Sequence, residues 1–197
     1  MRLAIIDNGG ANIASVRYAI ERLGVNAELT TDPDQVRAAT HVILPGVGTA
    51  ADCMSRLERS KLIETIKSIK QPLLGICVGM QLLFDSSEEG DVKCLGLLPG
   101  RVQRFPNRAG LPVPHMGWNQ LNVKRQTLLT QGLHPNDYVY FVHSFAAPIG
   151  DMTLASTDYG APFSAAVQKD NIYGVQFHPE RSARVGAIIL RNFLSIH

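Results

Sequence analysis

The chain lacks several features that would direct its reading elsewhere. It has no uninterrupted apolar stretch of about 18 residues, so the sequence offers no membrane-spanning helix. It has no run of basic residues interleaved with aromatics, and its formal charge is only +2. Nucleic acid and other polyanions are therefore not expected partners. Cysteine is scarce: Cys53, Cys77 and Cys94 are an odd number without the spacing of a disulfide framework or the close pairing of a zinc site. Free thiols in a reducing, cytoplasmic compartment are expected, with no metal and no cofactor. Internal repeats, low-complexity segments and linker-like stretches are missing too. The 197 residues are thus read as one domain, 1–197. The N-terminal segment Met1-Arg2-Leu3-Ala4-Ile5-Ile6-Asp7 has no small-residue cleavage site and reads as a buried strand, not a signal peptide.

What is present is alternation. Leu3–Ile6 is short and apolar, as a strand buried on both faces would be. Asn12 is placed to cap a helix in which Ile13, Val16, Ala19, Ile20 and Leu23 recur at helical spacing before Gly24. Ala27–Leu29 reads as a strand, and Asp32-Pro33 opens a short helix to Ala38 or Ala39. His41–Leu44 reads as a strand, Leu57–Ile69 as an amphipathic helix, Pro72–Ile76 as a strand and Val78–Phe84 as a helix. This order predicts an α/β fold with a mostly parallel central sheet and right-handed crossovers. After about Gly90 short strands follow at Val102-Gln103, Gln120–Val123, Tyr138–Phe141, Thr153–Ser156, Ala165–Gln168 and Ile172–Gln176. Ala183–Leu194 closes the chain as a helix.

Three segments carry chemistry. In Leu74-Gly75-Ile76-Cys77-Val78-Gly79-Met80-Gln81 a strand enters a cysteine with glycine two residues to either side, and a helix follows. This is the thiol counterpart of a nucleophile elbow, which needs glycines where backbones approach closely. The turn sets sulfur at the carboxyl end of the sheet and at a helix N-terminus, where thiolate is favoured. A buried structural cysteine between glycines is the competing reading. In Gly174-Val175-Gln176-Phe177-His178-Pro179-Glu180 a strand ends at a histidine. Proline biases His178 toward extended backbone, and in extended chain Glu180 projects to the same side as His178. A carboxylate there orients the ring for a thiol, which is the logic of a catalytic triad. Alone, the triplet reads first as a turn histidine beside a solvated glutamate; the cysteine elbow in the same chain reverses that balance. In Pro45-Gly46-Val47-Gly48 a Gly-rich loop follows a strand of the same sheet and can turn N–H groups toward an oxyanion, unless it is an ordinary turn. The N–H of Val78, just after the cysteine, is a second such donor.

Together, in this order, these segments resemble class I (triad-type) glutamine amidotransferases, over essentially the whole chain. Within that family, Pro45–Ala50, Gly75–Gln81, Pro114-His115-Met116-Gly117-Trp118-Asn119 and Gly174–Ser182 are similar to glutaminase subunits of imidazole glycerol phosphate synthases of histidine biosynthesis. The resemblance implies a flavodoxin-like sheet with helices on both faces. It implies a Cys77, His178, Glu180 triad, with oxyanion donors at Val47 and Val78. It implies glutamine held by Gly46, Gly48, Gln81 and the His143-Ser144-Phe145 segment. It also implies ammonia transfer to a (βα)₈ cyclase subunit in a heterodimer, with Asn12 and Trp118 at the interface. On sequence alone Asn12 reads first as a helix cap, and Trp118 is equally a core residue.

Three positions depart from the family pattern: the first turn reads Asp7-Asn8-Gly9-Gly10-Ala11-Asn12 without the frequent Tyr, Phe145 replaces a frequent Tyr, and Val78 a common Leu. None is in the triad. Two other readings remain open: a γ-glutamyl peptidase or different amidotransferase on the same scaffold, and a non-catalytic module that keeps the fold.

Overall fold

The computed structural model describes residues 1–9 and 12–197. The first half runs β1 (Leu3–Ile6), α1 (Ile13–Glu21), β2 (Ala27–Thr30), α2 (Pro33–Ala38), β3 (His41–Gly46), α3 (Ala50–Arg59), α4 (Ile63–Lys67), β4 (Leu73–Cys77) and α5 (Val78–Gln81). The second half is strand-rich: β5 (Ser86–Ser87), β6 (Val92–Lys93), β7 (Arg101–Arg104), β8 (His115–Gln120), β9 (Asn122–Val123), β10 (Tyr138–His143), β11 (Phe145–Ala146), β12 (Thr153–Asp158), β13 (Pro162–Lys169) and β14 (Ile172–Val175). A 3₁₀ turn at Pro179–Arg181 then leads into α6 (Ala183–Leu194).

The main sheet has eight strands in the order β2-β1-β3-β4-β14-β13-β12-β9. The neighbours from β2 to β14 are parallel, and those from β14 to β9 antiparallel. Strands β1, β3, β4 and β14 are buried along their whole lengths, which is why they read as continuous apolar runs. The chain steps one way from β1 to β2 and the other way from β2 to β3. Right-handed crossovers therefore place α1 on one face of the sheet and α2, α3 and α4 on the other. Helix α6 joins α1, where Ala19 and Leu23 share a cleft with Ala187 and Leu190. The reversal of strand order between β1 and β3 is a topological switch point, where open α/β sheets bind ligands beyond the carboxyl ends of their strands.

The expected helix over Leu57–Ile69 is two helices. Lys61, at φ +55°, turns the chain between them, and α3 begins earlier, at Ala50. Thr49 caps α3 by accepting from the Asp52 N–H at 3.1 Å, and Asp32 caps α2 by accepting from the Asp34 N–H at 2.8 Å. Asn12 does not cap α1: its backbone is already helical and its side chain makes no cap bond. Helix α5 has a single turn, ending at Gln81, although Leu82, Leu83 and Phe84 beyond it are fully buried. The strand expected over Gln120–Val123 breaks at Leu121. Its first part, β8, pairs with β10 in a two-stranded ribbon, while β9 joins the edge of the main sheet. Strands β11, β7, β5 and β6 form a separate four-stranded sheet.

Candidate active site

Cys77 is the last residue of β4 and has φ +55° and ψ −115°. A non-glycine residue held there is strained, and such strain concentrates at functional sites. The flanking glycines make the elbow possible. A Cβ on Gly79 would lie 1.9 Å from the Leu44 carbonyl oxygen, and one on Gly46 would lie 2.4 Å from the Gly79 nitrogen. Strands β3 and β4 and helix α5 thus meet backbone to backbone, and Gly46 pairs with Cys77 across the sheet. Cys77 is 4% exposed. Its sulfur lies 3.9 Å from the Val142 carbonyl and 3.9 Å from Gln176 Nε2.

His178 follows β14, the parallel neighbour of β4, so the sheet itself brings it beside Cys77. Its N–H donates to the Tyr140 carbonyl at 2.9 Å, and its carbonyl accepts from Ser182 Oγ at 2.7 Å. The backbone of the base is therefore fixed from both sides. Its Nδ1 lies 2.8 Å from Glu180 Oε1. The route to that bond differs from the sequence reading. His178 is extended, but Pro179–Arg181 forms a 3₁₀ turn, and the turn brings Glu180 back under the ring. Burial opposes a charge on His178. The hydrogen bonds it donates to Cys77 and Glu180, and the attraction of those groups for its charge, outweigh it and push the imidazole up to about 10. The site thus favours an imidazolium facing the sulfur. The Glu180 side chain is completely buried, and its Oε2 has no partner among the described residues.

Asn12, read from sequence as a cap or an interface residue, stands at the triad. Its Nδ2 donates to Glu180 Oε1 and lies 3.1 Å from His178 Nδ1. The histidine N–H and the asparagine amide thus converge on one carboxylate oxygen. No spacing rule could have shown this, because Asn12 and Glu180 meet only through the β1–β3–β4–β14 order of the sheet.

A cleft of about 460 Å³ opens over these groups, lined by Asn12, Gly46, Val47, Gly48, Cys77, Val78, Val142, His178 and Arg181. An open cleft of about 520 Å³ elsewhere, around Arg125, Asp151, Lys169 and Asp170, is larger but is lined by neither cysteine nor histidine. Chemistry, not size, identifies the first. The loop after β3 lines the cleft with Gly46, Val47 and Gly48, the last at φ +94°. Arg56 on α3, which the sequence reading passed over, holds this loop. Its Nη1 donates to the Asn8 carbonyl at 2.9 Å and approaches the Val47 carbonyl at 3.5 Å.

Of the remaining expected residues, Gln81, His143, Ser144, Phe145 and Trp118 do not line the cleft. Gln81 and His143 are buried behind it. Gln81 Nε2 donates to the Phe145 carbonyl at 2.8 Å, and its Oε1 has no donor among the described residues. Ser144 gives its carbonyl to the Phe105 N–H at 3.0 Å. Trp118 is not a core residue. It is 53% exposed, with Met116 on the same face of β8 and Tyr138 on that of β10 also exposed. Arg181 lies over the Tyr140 ring of that face, 4.2 Å from its centroid. Among the described residues no cluster suited to a metal ion occurs, and no helix is long and apolar enough to cross a membrane.

The chain is 54% identical over 194 residues to imidazole glycerol phosphate synthase subunit HisH of Xanthomonas axonopodis pv. citri, covering 98% of this chain and 97% of the relative. The subunit of the same name from Vibrio cholerae is 52% identical, covering 98% of both chains. Among solved structures, PurLQS from Thermotoga maritima superposes with a TM-score of 0.77 at 22% identity, over 98% of this chain and 97% of its own. A GMP synthase subunit from Thermoplasma acidophilum gives 0.76 at 22% identity, over 98% and 92%. The family profile described as glutamine amidotransferase class-I matches residues 4–196, and the chain belongs to that family.

Proposed function

We propose that this protein is the glutaminase subunit of an imidazole glycerol phosphate synthase, working as one unit over residues 1–197. The observation that carries the reading is the alignment of Cys77, His178 and Glu180 at the ends of adjacent parallel strands, beneath an open cleft. Similarity to HisH subunits over nearly the full chain supports the choice of synthase.

The chemistry follows from the geometry. Cys77 sulfur attacks the side-chain amide carbon of glutamine, and negative charge develops on the amide oxygen. The N–H groups of Val47 and Val78, at the ends of β3 and β4, receive that charge. The imidazolium of His178 gives its proton to the departing ammonia, leaving a glutamyl thioester. Neutral His178 then takes a proton from water, whose oxygen attacks the thioester carbon and releases glutamate. Glu180 keeps the ring oriented and stabilises its charge in both steps. Gly46 and Gly48 leave room in the cleft for the substrate. Gln81, His143, Ser144 and Phe145 form the wall behind it.

Ammonia passes to a (βα)₈ cyclase partner, which makes imidazole glycerol phosphate and AICAR with it, in the cytoplasm and without nucleic acid or membrane. The partner docks over Trp118 and the mouth of the cleft near Asn12. Exposed aromatic side chains on a two-stranded ribbon beside the cleft support this, because aromatic side chains are enriched at interfaces. A glutaminase that released ammonia unused would waste glutamine, so turnover is expected to need the partner with its nucleotide bound. The loop Gly46-Val47-Gly48 is the candidate switch, since glycine permits peptide rotation.

The test is glutamate release from glutamine with the cognate cyclase and its nucleotide, each omitted in turn. Activity that needs both, and is lost in Cys77→Ala, is the expected result. Activity independent of the partner keeps the glutaminase and discards the synthase assignment. No activity under any condition discards the enzyme reading.

A further inference from the structure

Behind Cys77 runs a line of buried polar groups to which the reaction above gives no chemical step. Its centre is the Phe145 carbonyl oxygen. Two side chains meet there: His143 Nδ1 at 2.8 Å and Gln81 Nε2 at 2.8 Å. A carbonyl only accepts, so both must donate, and this fixes the polarity of everything attached to them.

On one side, His143 carries its proton on Nδ1, so its Nε2 is an acceptor. His115 Nδ1, 3.3 Å away, must then be the donor to it. His115 Nε2 is left as an acceptor, and Asn119 Nδ2 stands 3.3 Å from it. His115 is clamped between Phe141 and Tyr159, with ring centroids at 4.9 Å and 4.0 Å. Burial holds both imidazoles below the ordinary histidine range, His115 at about 4 and His143 at about 3. Both rings are thus neutral, with the proton on Nδ1, the form less favoured by free imidazole.

On the other side, Gln81 Nε2 uses its second hydrogen on Gln176 Oε1, at 3.0 Å. Gln176 is completely buried. With its oxygen occupied, its Nε2 faces Cys77 Sγ at 3.9 Å. One carbonyl therefore sets two arms, and the second ends with an N–H directed at the nucleophilic sulfur.

We propose that Gln176 is a hydrogen-bond donor to the Cys77 sulfur and stabilises its thiolate, and that Asn119, His115, His143 and Gln81 are positioning residues that keep the carboxamide turned that way. This rests on Cys77 being the nucleophile, but its test does not need glutamine. Chemistry recommends the arrangement. An amide donor stabilises thiolate without supplying a proton, so proton transfer is left to His178. Had Gln176 been reversed, its oxygen would have faced the sulfur and opposed the charge.

The first experiment measures Cys77 alkylation by iodoacetamide against pH, read on the Cys77 peptide by mass spectrometry, in the unaltered protein and in Gln176→Glu. The variant keeps the shape and replaces the donor by an oxygen. The alkylation midpoint is expected to rise by about one pH unit, a tenfold loss of thiolate at a given pH below both midpoints. An unmoved midpoint in the folded variant overturns the donor role. If Gln176→Glu does not fold, Asn119→Ala, at the half-exposed end of the line, and His115→Phe, which keeps the stacked ring, give the second reading. Each is expected to raise the midpoint in the same direction and by less. A midpoint that stays unchanged in both overturns the positioning role.

The second experiment reads the line directly. Nitrogen-15 NMR of the imidazoles is expected to show His115 and His143 both neutral and protonated on Nδ1 at pH 6. Protonation on Nε2 at either residue overturns the polarity argued here. Glutamate release by the unaltered protein, with partner and nucleotide, is a separate control. Its failure counts against the glutaminase reading and leaves the alkylation and NMR results standing on their own.

Discussion

Asn12 donates its side-chain amide to Glu180 Oε1, the same oxygen that lies 2.8 Å from His178 Nδ1. The orienting carboxylate therefore has two donors on one oxygen, and the base is steered by a residue from the far side of the switch point. A hydrogen bond to a buried charge contributes about 1.5–3 kcal/mol. Asn12→Ala is expected to lower partner-stimulated glutaminase kcat by about tenfold or more, with the KM for glutamine little changed. Asn12→Asp is expected to be worse, because it sets a second carboxylate against Glu180. Steady-state kinetics on both variants check the order. An Asn12→Asp enzyme as active as the unaltered one would mean that the contact to Glu180 carries no catalytic weight.

Gly79 tests whether the elbow is held by backbone contact. Its missing Cβ is replaced by the Leu44 carbonyl, which a methyl group would meet at 1.9 Å. The clash is with backbone at the junction of β3, β4 and α5, so no side-chain rotation relieves it. Gly79→Ala is expected to cost about 4 kcal/mol or more, at the extreme of single substitutions. Urea denaturation measures it. Gly24→Ala makes the contrast: at φ +82°, with nothing near its absent Cβ, it carries backbone strain alone.

Much of this was open to sequence reasoning, for identifiable reasons. The strands β1, β3, β4 and β14 are buried on both faces, so their apolar runs were plain. The elbow and the His178-Pro179-Glu180 turn put their chemistry within a few residues of each other. What was missed depends on sheet order or on one local angle. Lys61 gives no sequence sign of its positive φ, and the helix expected over Leu57–Ile69 is split there. Arg56 looks like an ordinary helix-surface charge until α3 is laid beside the loops after β1 and β3. His115 shows no ligand spacing, because its partner His143 is reached across the β8–β10 ribbon and not along the chain.

The histidines give the protein opposite pH responses on its two flanks. His41, His115 and His143 are all lowered from the usual value, chiefly by burial. Below about pH 6.5 the unfolded chain gains protons on them that the folded one refuses until about pH 4 for His115 and about 3 for His143. Stability is therefore lost as pH falls through that window. His178 is raised, to about 10. Its contribution is fully present below the unfolded value near 6.5 and is lost as pH rises toward 10. Urea midpoints followed from pH 4 to 10 are expected to peak near neutrality. The acid slope is expected to be shallower in His115→Phe, which removes one of the buried bases. Equal acid slopes in the two proteins would mean that His115 does not stay neutral in the fold.

Trp118 separates the two readings its sequence position allowed. A core tryptophan replaced by alanine costs about 3–5 kcal/mol of stability. Here the ring is 53% exposed, beside Met116 and Tyr138 on the outer face of a ribbon whose inner face holds His115 and Phe141. Trp118→Ala is therefore expected to leave the thermal midpoint of the isolated protein nearly unchanged. If the ribbon is where the cyclase docks, the exposed tryptophan is the kind of side chain that becomes a hot spot, with about 2 kcal/mol or more lost on truncation. That corresponds to roughly thirtyfold weaker association, since 1.4 kcal/mol is a factor of ten. Calorimetric titration of the variant with the cyclase, alongside thermal melts of the variant alone, reads both quantities. Weaker binding with an unchanged melt puts the partner on the ribbon. A lowered melt with unchanged binding puts the ring's role inside the fold and moves the interface elsewhere.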